Sequence, residues 1–217
     1  MALALLFPGP PAEAEPAFWI VPFGGVSWHA MADINRDIDG LREVTGVEMD
    51  HIGGGTSLGI QADLAFSPDD RYIFSYERLA TGSEQSSRYG PLEYDLSADV
   101  YLFGYEHSHP FNSSLRVGVG GLMGVLVAKG GVDLSIPEHG NRDFAFSGRA
   151  FVMEARLSGA LSLHRRLETI TWVSYRYATI EPFTINGFTV YNNDRSEMKM
   201  DYSGPLWRLA LRLKVFG

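Results

Sequence analysis

Residues 207–215 read WRLALRLKV and alternate strictly between two kinds of side chain. The odd-numbered positions hold Trp, Leu, Leu, Leu and Val, and the even-numbered positions hold Arg, Ala, Arg and Lys. A period of two residues is that of a β-strand, in which successive side chains point to opposite faces. The stretch therefore predicts a strand with one apolar face and one cationic or small face.

The same alternation recurs along the chain and predicts seven further strands. They cover residues 18–28, 57–66, 71–79, 92–102, 115–127, 151–158 and 167–180. The connections alternate in length, with short turns at 68–70, 107–113 and 164–166 and long loops at 31–55, 82–90, 130–147 and 182–203. Strictly alternating short and long connections are typical of an up-and-down antiparallel barrel whose long loops lie at one rim. We therefore expect an all-β, eight-stranded antiparallel barrel with both chain ends at the short-turn rim.

Alternation alone does not decide which face is inside, because a soluble lipocalin-like carrier also alternates, with its apolar face inward. Three features favour the inverted, transmembrane arrangement. The polar face is rich in Gly, Ala and Ser, which leave room for large charged neighbours in a narrow lumen. Acidic and basic residues on that face nearly balance, as enclosed charges must. Aromatic residues near the strand ends suit the two interfaces of a bilayer.

The charged positions of the polar face predict a luminal charge network. Fifteen of the 18 basic residues are Arg, which is preferred over Lys for ion pairs in a low-dielectric space. We expect the network to plug the barrel, so that replacing Arg156 by Glu destabilises the fold by about a few kcal/mol. Its predicted members are Asp63, Glu77, Glu93, Asp95, Asp99, Arg116, Glu154, Arg156, Arg176, Arg208 and Arg212.

Composition sets further limits. The net charge of −8 argues against a nucleic-acid partner, and the chain has no Cys with which to form a disulfide. No run of eighteen apolar residues is present, so the sequence predicts no membrane-spanning helix. Residues 1–14 combine an apolar run with a small-x-small pattern at 12–14, which is typical of the end of an export signal. We therefore divide the chain into a signal remnant at 1–14 and a barrel at 15–217.

One loop motif resembles the start of a calcium-binding loop. Asn35, Asp37 and Asp39 alternate before Gly40, and oxygen ligands spaced in this way can converge on a hard cation. The twelfth position is Gly46 where such loops need a bidentate Glu. A short surface helix capped by Asp33 explains the same residues, so we predict no metal site and no cofactor.

A second motif, residues 106–109, reads EHSH and brings an acid, two imidazoles and a hydroxyl together. It invites comparison with lipid A deacylase barrels, which use a His, a Ser and an acid. The predicted topology places it at the short-turn rim, away from outer-leaflet lipid A. We interpret it as a polar turn and expect no enzymatic activity.

The whole pattern after residue 14 resembles the small outer-membrane barrels of the OmpA, OmpX and OmpW kind. The resemblance implies a bacterial outer-membrane location, contact with lipid and lipopolysaccharide, and insertion by the barrel-assembly machinery. Such chains commonly end in an outward aromatic residue, whereas Gly217 holds that position here and Phe216 falls one place early. Either a bulge in the last strand or an unusual terminal signal explains this ending. The expected function is structural, adhesive or ligand-contacting through the long loops, with a narrow channel, a lipid-modifying enzyme and a soluble carrier as alternatives.

Overall fold

The computed structural model describes residues 16–45, 50–87, 90–136, 140–182, 184–192 and 195–217. The export-signal prediction at 1–14 therefore lies outside the described residues. Within them, eight long antiparallel strands pair in chain order, and the last pairs with the first to close the sheet. The predicted fold class, an eight-stranded antiparallel barrel, is confirmed. The barrel strands are β1 (Ala17–Trp28), β2 (Gly54–Ala65), β3 (Asp70–Ser87), β4 (Gly90–Pro110), β5 (Leu115–Ile136), β6 (Gly140–His164), β7 (Leu167–Tyr177) and β12 (Gly204–Phe216).

The remaining elements belong to two long connections. Helix α1 (Ala32–Thr45) joins β1 to β2. The connection between β7 and β12 contains the short strands β8 (Thr179–Ile180), β9 (Thr184–Ile185), β10 (Phe188–Thr189) and β11 (Met200–Asp201). β8 pairs with β11, and β9 pairs with both β10 and β6. In the described part of the chain, no helix is both long and apolar enough to cross a membrane.

Side-chain caps hold the short turns at one rim. In the turn between β2 and β3, the Ser67 hydroxyl accepts hydrogen bonds from the backbone N–H groups of Asp69 and Asp70, at 3.2 and 2.9 Å. Between β4 and β5, Asn112 Oδ1 accepts from the N–H groups of Ser114 and Leu115, at 2.9 and 2.8 Å. These turns define the short-turn rim, where β1 begins and β12 ends. The opposite end is the long-loop rim.

Two connections predicted as long loops are strand hairpins instead. Residues 82–90 and 130–147 contain several glycines and were predicted as loops. Strands β3 to β6, which are 18 to 25 residues long, extend into these ranges. Glycine weakens a strand, but cross-strand hydrogen bonding over the whole length of these hairpins overrides that local preference. The predicted turn at 107–113 is also shorter, because β4 continues to Pro110.

The outer wall carries a continuous apolar band. Leu58, Phe74, Met123, Leu157 and Val173 point outward and are between 53% and 73% exposed. The band extends around the barrel to β12, where the odd-numbered side chains of 207–215 are exposed and the even-numbered ones face the lumen. A surface of this size and composition is stable in hydrocarbon rather than in water. The soluble-carrier alternative, which needs the reverse arrangement, does not fit.

A row of cross-strand partners marks where the band ends toward the long-loop rim. Arg78 on β3 pairs in register with Asp99 on β4, which pairs with Val127 on β5, which pairs with Arg149 on β6. Arg78 and Arg149 are exposed on the outside, and the Tyr76 hydroxyl donates to Asp99 Oδ1 at 2.8 Å. We call these four residues the boundary row. Strands β3 to β6 continue about nine residues beyond it, or roughly 30 Å along the strands.

The boundary row explains why the face of β4 was predicted wrongly. Inside the band, outward residues such as Tyr101 and Phe103 are apolar; beyond it, outward Asp95 and Asp99 are charged. The inward residues of β4 change from charged to apolar in the same direction: Glu106 lies near the short-turn rim, and Leu96 and Val100 lie near the long-loop rim. The strand keeps one pairing register throughout. The sense of its alternation therefore inverts along one continuous strand.

The end of β12 contains a bulge, one of the two explanations open for the unusual terminal sequence. Phe18 pairs with Phe216 while Trp19 pairs with Lys214, which leaves Val215 as the extra residue. Both Val215 and Phe216 are consequently exposed on the outer wall. The Phe216 ring stacks on that of Phe18, with 5.6 Å between centroids.

Candidate functional site

The middle of the lumen contains a ring of four ionised side chains from four strands. Arg208 Nη1 lies 2.7 Å from Glu154 Oε1, and Arg208 Nη2 lies 2.8 Å from Glu77 Oε2. Arg176 contacts the same two carboxylates, with Nη2 at 2.8 Å from Glu154 Oε2. All four side chains are at most 3% exposed. Because each charge has two partners of opposite sign, the ring neutralises charges that would otherwise be costly to enclose.

A second layer lies closer to the short-turn rim and is built around Glu106. Arg156 Nε and Nη2 both lie 2.8 Å from Glu106 Oε2, and the Ser158 hydroxyl donates to Oε1 at 3.0 Å. Arg156 Nη1 donates to Gln61 Oε1 at 2.9 Å, and Gln61 Nε2 donates to Asp63 Oδ1 at 2.5 Å. The layer therefore connects β2, β4 and β6 across the barrel.

The third layer forms the mouth of the lumen at the short-turn rim. Arg212 bridges Asp63 and Glu168, with both N–O distances at 2.9 Å. Arg71 lies 3.3 Å from Glu106, and Arg116 pairs with Asp69 in the adjacent turn. A cavity of about 260 Å³ opens between these side chains.

Aromatic rings fill the space beside the guanidinium groups on one side of the lumen. Phe23 and Trp172 pack edge to face with 5.4 Å between centroids, within a small buried cluster that includes Val21 and Ile170. Cations over ring faces gain further electrostatic attraction. The pairs are Arg156 over Trp172 at 5.3 Å, Arg208 over Phe23 at 5.6 Å, and Arg212 and Lys214 over Trp19 at 5.8 and 5.7 Å.

Beyond the ring, toward the long-loop rim, the lumen is apolar, where a polar interior had been predicted. Helix α1 and the β7–β12 connection insert apolar side chains that pack on the inner wall. The reason is that long connections fold back into the barrel and need apolar partners there. This apolar plug consists of Met31, Ile34, Ile38, Ile52, Ala178, Ile180, Met198, Met200 and Tyr202 against Leu79, Leu96, Val100, Leu102, Leu122, Leu126, Phe146 and Val152.

Hydrogen bonds hold α1 in place within the plug. The Asn35 side chain donates to Ile52 O at 3.0 Å and accepts from Ile52 N at 2.8 Å. Asp33 Oδ2 accepts from the backbone N–H of Lys199 at 3.1 Å. Asp33 thus anchors the helix to the β7–β12 connection, and the prediction that it caps the helix is wrong.

The calcium-loop candidates lie on this helix. Asn35 binds the backbone of Ile52, and Asp39 pairs with His51 at 2.8 Å. Asp37 is exposed. It is two positions from both Asn35 and Asp39, and this spacing places it on the opposite side of the helix. The three oxygen-bearing side chains therefore do not converge on one point.

Of the predicted network residues, seven lie in the lumen and are paired as described above: Asp63, Glu77, Glu154, Arg156, Arg176, Arg208 and Arg212. Arg116 lies at the mouth. The placement of Asp95 and Asp99 in the lumen is wrong, because both point outward beyond the membrane band. The side chain of Glu93 lies outside the described residues.

Sequence reasoning missed two luminal charges, Glu106 and Arg71. Glu106 was assigned to a polar turn, but residues 106–109 are part of β4. Alternation then places Glu106 and Ser108 inside and His107 and His109 outside, so the four side chains cannot form one catalytic group. Continuing the alternation outward from Phe103 and Tyr105 would have identified Glu106 as luminal.

Comparison with known proteins gives structural matches only. No protein-family model matches the sequence, and no curated protein matches it. The structure resembles Neisserial surface protein A, with a TM-score of 0.55, 10% identity, and coverage of 90% of this chain and 96% of that one. It also resembles Ail, the attachment invasion locus protein of Yersinia pestis, solved with the heparin analogue sucrose octasulfate. There the TM-score is 0.52 and the identity 12%, with coverage of 91% of this chain and 98% of that one. For OprG, an outer-membrane protein of Pseudomonas aeruginosa, the TM-score is 0.53 and the identity 12%, with coverage of 94% of this chain and 98% of that one.

These similarities concern the fold, since all the identities are low. The solved structures are bacterial outer-membrane proteins, and the chain covers nearly the full length of each. The predicted resemblance to small outer-membrane barrels is confirmed at that level. The chain has the fold of a small, eight-stranded outer-membrane β-barrel, with ion-pair layers and an apolar plug in its lumen.

Proposed function

We propose that this chain is a non-enzymatic, non-conducting protein of the bacterial outer membrane whose extended hairpins make contacts outside the cell. The proposal rests on two features of the barrel, a filled lumen and strands that extend beyond the boundary row. The lumen is filled by the ion-pair layers below the row and by the apolar plug, which extends across it. Above it, four strands continue for about nine residues beyond the apolar band.

Closure of the lumen argues against the channel alternative. The central ion-pair ring connects β3 to β7 and β12 across the barrel, and its charges are mutually neutralised. Opening a path for ions would separate buried pairs, which costs about several kcal/mol for each charge left alone. The apolar plug presents a second barrier, because its wall-facing side chains are mostly hydrocarbon and cannot replace the hydration shell of an ion.

The exterior of the barrel supports the proposed location. An apolar band on the outer wall, bounded by charged residues at the boundary row, suits a bilayer. Under this proposal the band contacts outer-membrane lipid and lipopolysaccharide, and the chain is inserted by the barrel-assembly machinery. The long-loop rim then faces outside the cell and the short-turn rim faces the periplasm.

The contact role rests on what protrudes from the long-loop rim. Besides the two hairpins, the aromatic side chains of Phe188 and Tyr191 are 78% and 58% exposed there. Exposed aromatic residues outside the membrane are frequent contact sites, since they combine apolar area with few rotatable bonds. Ail, whose fold is similar, is named for attachment and was solved with a heparin analogue. Phe146 and Met198 lie within the loop ranges predicted from the sequence, but both side chains are buried in the plug and offer no contact surface.

Two measurements test the two parts of the proposal. In planar lipid bilayers, the purified protein should give no conductance steps above background, whereas large and steady steps would overturn the closed lumen. For the contact role, bacterial cells displaying the chain should adhere to surfaces coated with extracellular-matrix protein more than cells displaying a variant with residues 82–95 replaced by a two-residue turn. Equal adherence, with equal surface display of the two forms, would overturn it.

A further inference from the structure

The mouth of the lumen at the short-turn rim is lined by more cationic than anionic side chains. Its cavity of about 260 Å³ is lined by four cationic side chains, those of Arg71, Arg116, Arg212 and Lys214. Two carboxylates line it as well, Asp70 and Glu168. The lining therefore has two more positive than negative groups, although the whole chain has a net charge of −8.

The two lining carboxylates have other partners. Glu168 pairs with Arg212 at 2.9 Å. Asp70 accepts hydrogen bonds from Ser67 Oγ at 2.7 Å and from the Tyr105 hydroxyl, and it pairs with His107 Nδ1 at 2.8 Å. Tyr105 and His107 are on the outer side of the barrel wall, so two of the partners of Asp70 lie outside the cavity.

Two of the cations are incompletely paired. The Arg71 side chain is 9% exposed, and its ion pair is a 3.3 Å contact with Glu106. That carboxylate already accepts shorter hydrogen bonds from Arg156 and Ser158. Lys214 lies over the Trp19 ring and, in the part of the chain that the structure describes, has no carboxylate partner. A guanidinium has five donors and an ammonium three, so both groups keep donors available for a ligand.

We propose that this cavity binds phosphate or a small phosphomonoester, held by Arg71 and Lys214 with Arg116 at the edge. Guanidinium groups match phosphate oxygens in pairs, and an ammonium adds a compact charge. The volume is sufficient for a small ion or ester. With the short-turn rim on the periplasmic side, the ligand comes from the periplasm. The site does not depend on the contacts proposed for the opposite rim, so failure of one leaves the other standing.

Titration calorimetry of the protein in detergent, with inorganic phosphate as the probe, tests the site. Phosphate should give saturable binding that chloride at the same ionic strength does not reproduce. Lys214→Gln should weaken binding at least fivefold, and Arg71→Gln should weaken it further. Lys129→Gln, which removes an outward cation of β5 far from the mouth, should leave the affinity unchanged.

Lys214→Gln carries the test if Arg71→Gln fails to fold, because Lys214 is in no ion pair that the structure describes and lies at the open mouth. Absence of saturable phosphate binding would overturn the proposal. So would equal heats for phosphate and chloride at matched ionic strength, or an unchanged affinity in folded Lys214→Gln.

Discussion

Arg208 on β12 and Glu77 on β3 form a bidentate ion pair across the lumen, with Nε–Oε1 and Nη2–Oε2 distances of 2.8 Å each. The two strands lie on separate parts of the wall, since β1 and β2 separate them in the sheet. The pair therefore braces the barrel in addition to the hydrogen bonds between neighbouring strands. Arg176 and Glu154 complete the ring, so that removal of any one member leaves an enclosed charge with too few partners.

Replacing Glu77 by Gln should lower the free energy of unfolding by about 3–5 kcal/mol, because it leaves the two guanidinium groups with one carboxylate between them. Urea titration in lipid vesicles, followed by Trp fluorescence, measures the change. Asp95→Asn, which removes an exposed carboxylate, is the matched control and should change stability by about 0.5 kcal/mol or less. A Glu77→Gln protein as stable as the control would show that the ring is not a brace.

The face of β4 can be tested with one residue on each side of the boundary row. Phe103→Arg places a cation on the outer wall inside the band and should cost about 2–4 kcal/mol in a bilayer. Asp95→Arg, on the same face beyond the row, should cost about 0–1 kcal/mol. The same unfolding titration applies to both, and equal costs would contradict the position of the row.

Gly118 provides a test of packing in the lumen. A Cβ atom at this position would lie 2.5 Å from Ser158 Oγ and 2.9 Å from Glu106 Oε1. Gly118→Val should therefore displace Glu106 from its partners and cost about 1–3 kcal/mol. Gly121→Val is the control on the same strand, because Gly121 points outward with no atom within 4 Å of the added carbon. A stable Gly118→Val protein would show that the lumen has spare volume.

His29, in the connection between β1 and α1, makes stability depend on pH. Burial, and secondly the nearby Arg176, lowers the pKa of His29 from 6.5 to about 4. A depressed pKa means that the folded state resists protonation, so stability is greatest above pH 6.5 and falls as the pH drops toward 4. The loss should reach roughly 2–3 kcal/mol at pH 4. It is measured as the difference in unfolding free energy between the protein and His29→Gln, which keeps a donor for Ser27 and does not titrate.

A flat difference between the two proteins from pH 7 to 4 would contradict that assignment. The comparison with His29→Gln is necessary because other groups also titrate in this interval. The hydrogen bond with the Tyr202 backbone, followed by the nearby Glu77 and Asp201, raises the pKa of His29, which opposes the larger effect of burial.

The sequence alone predicted a closed barrel and the order of its strands, because hydrophobic alternation and turn residues act locally. It also placed Glu77, Glu154, Arg176 and Arg208 on one polar face. It could not predict which members pair, since partners such as Glu77 and Arg208 are 131 residues apart.

The errors in the faces of β4 have one physical origin. Alternation reports that two faces differ, but not which solvent each face meets, and both solvents change along strands as long as β4. Above the boundary row, the outside is water and the inside is the apolar plug. Asp95 therefore points outward and Leu96 inward, the reverse of the arrangement expected for a strand between lipid and a polar lumen.

The central claim is that the charged residues of the barrel wall face a closed lumen while the alternate residues meet acyl chains. The chain has no Cys, so Leu209→Cys, Ala210→Cys and Leu211→Cys each carry a single thiol for an apolar fluorophore. In vesicles with brominated acyl chains, labels at 209 and 211 should be strongly quenched, and the buried thiol at 210 should resist labelling in the folded protein. Ready labelling and strong quenching at 210, with none at 209 and 211, would contradict the claim.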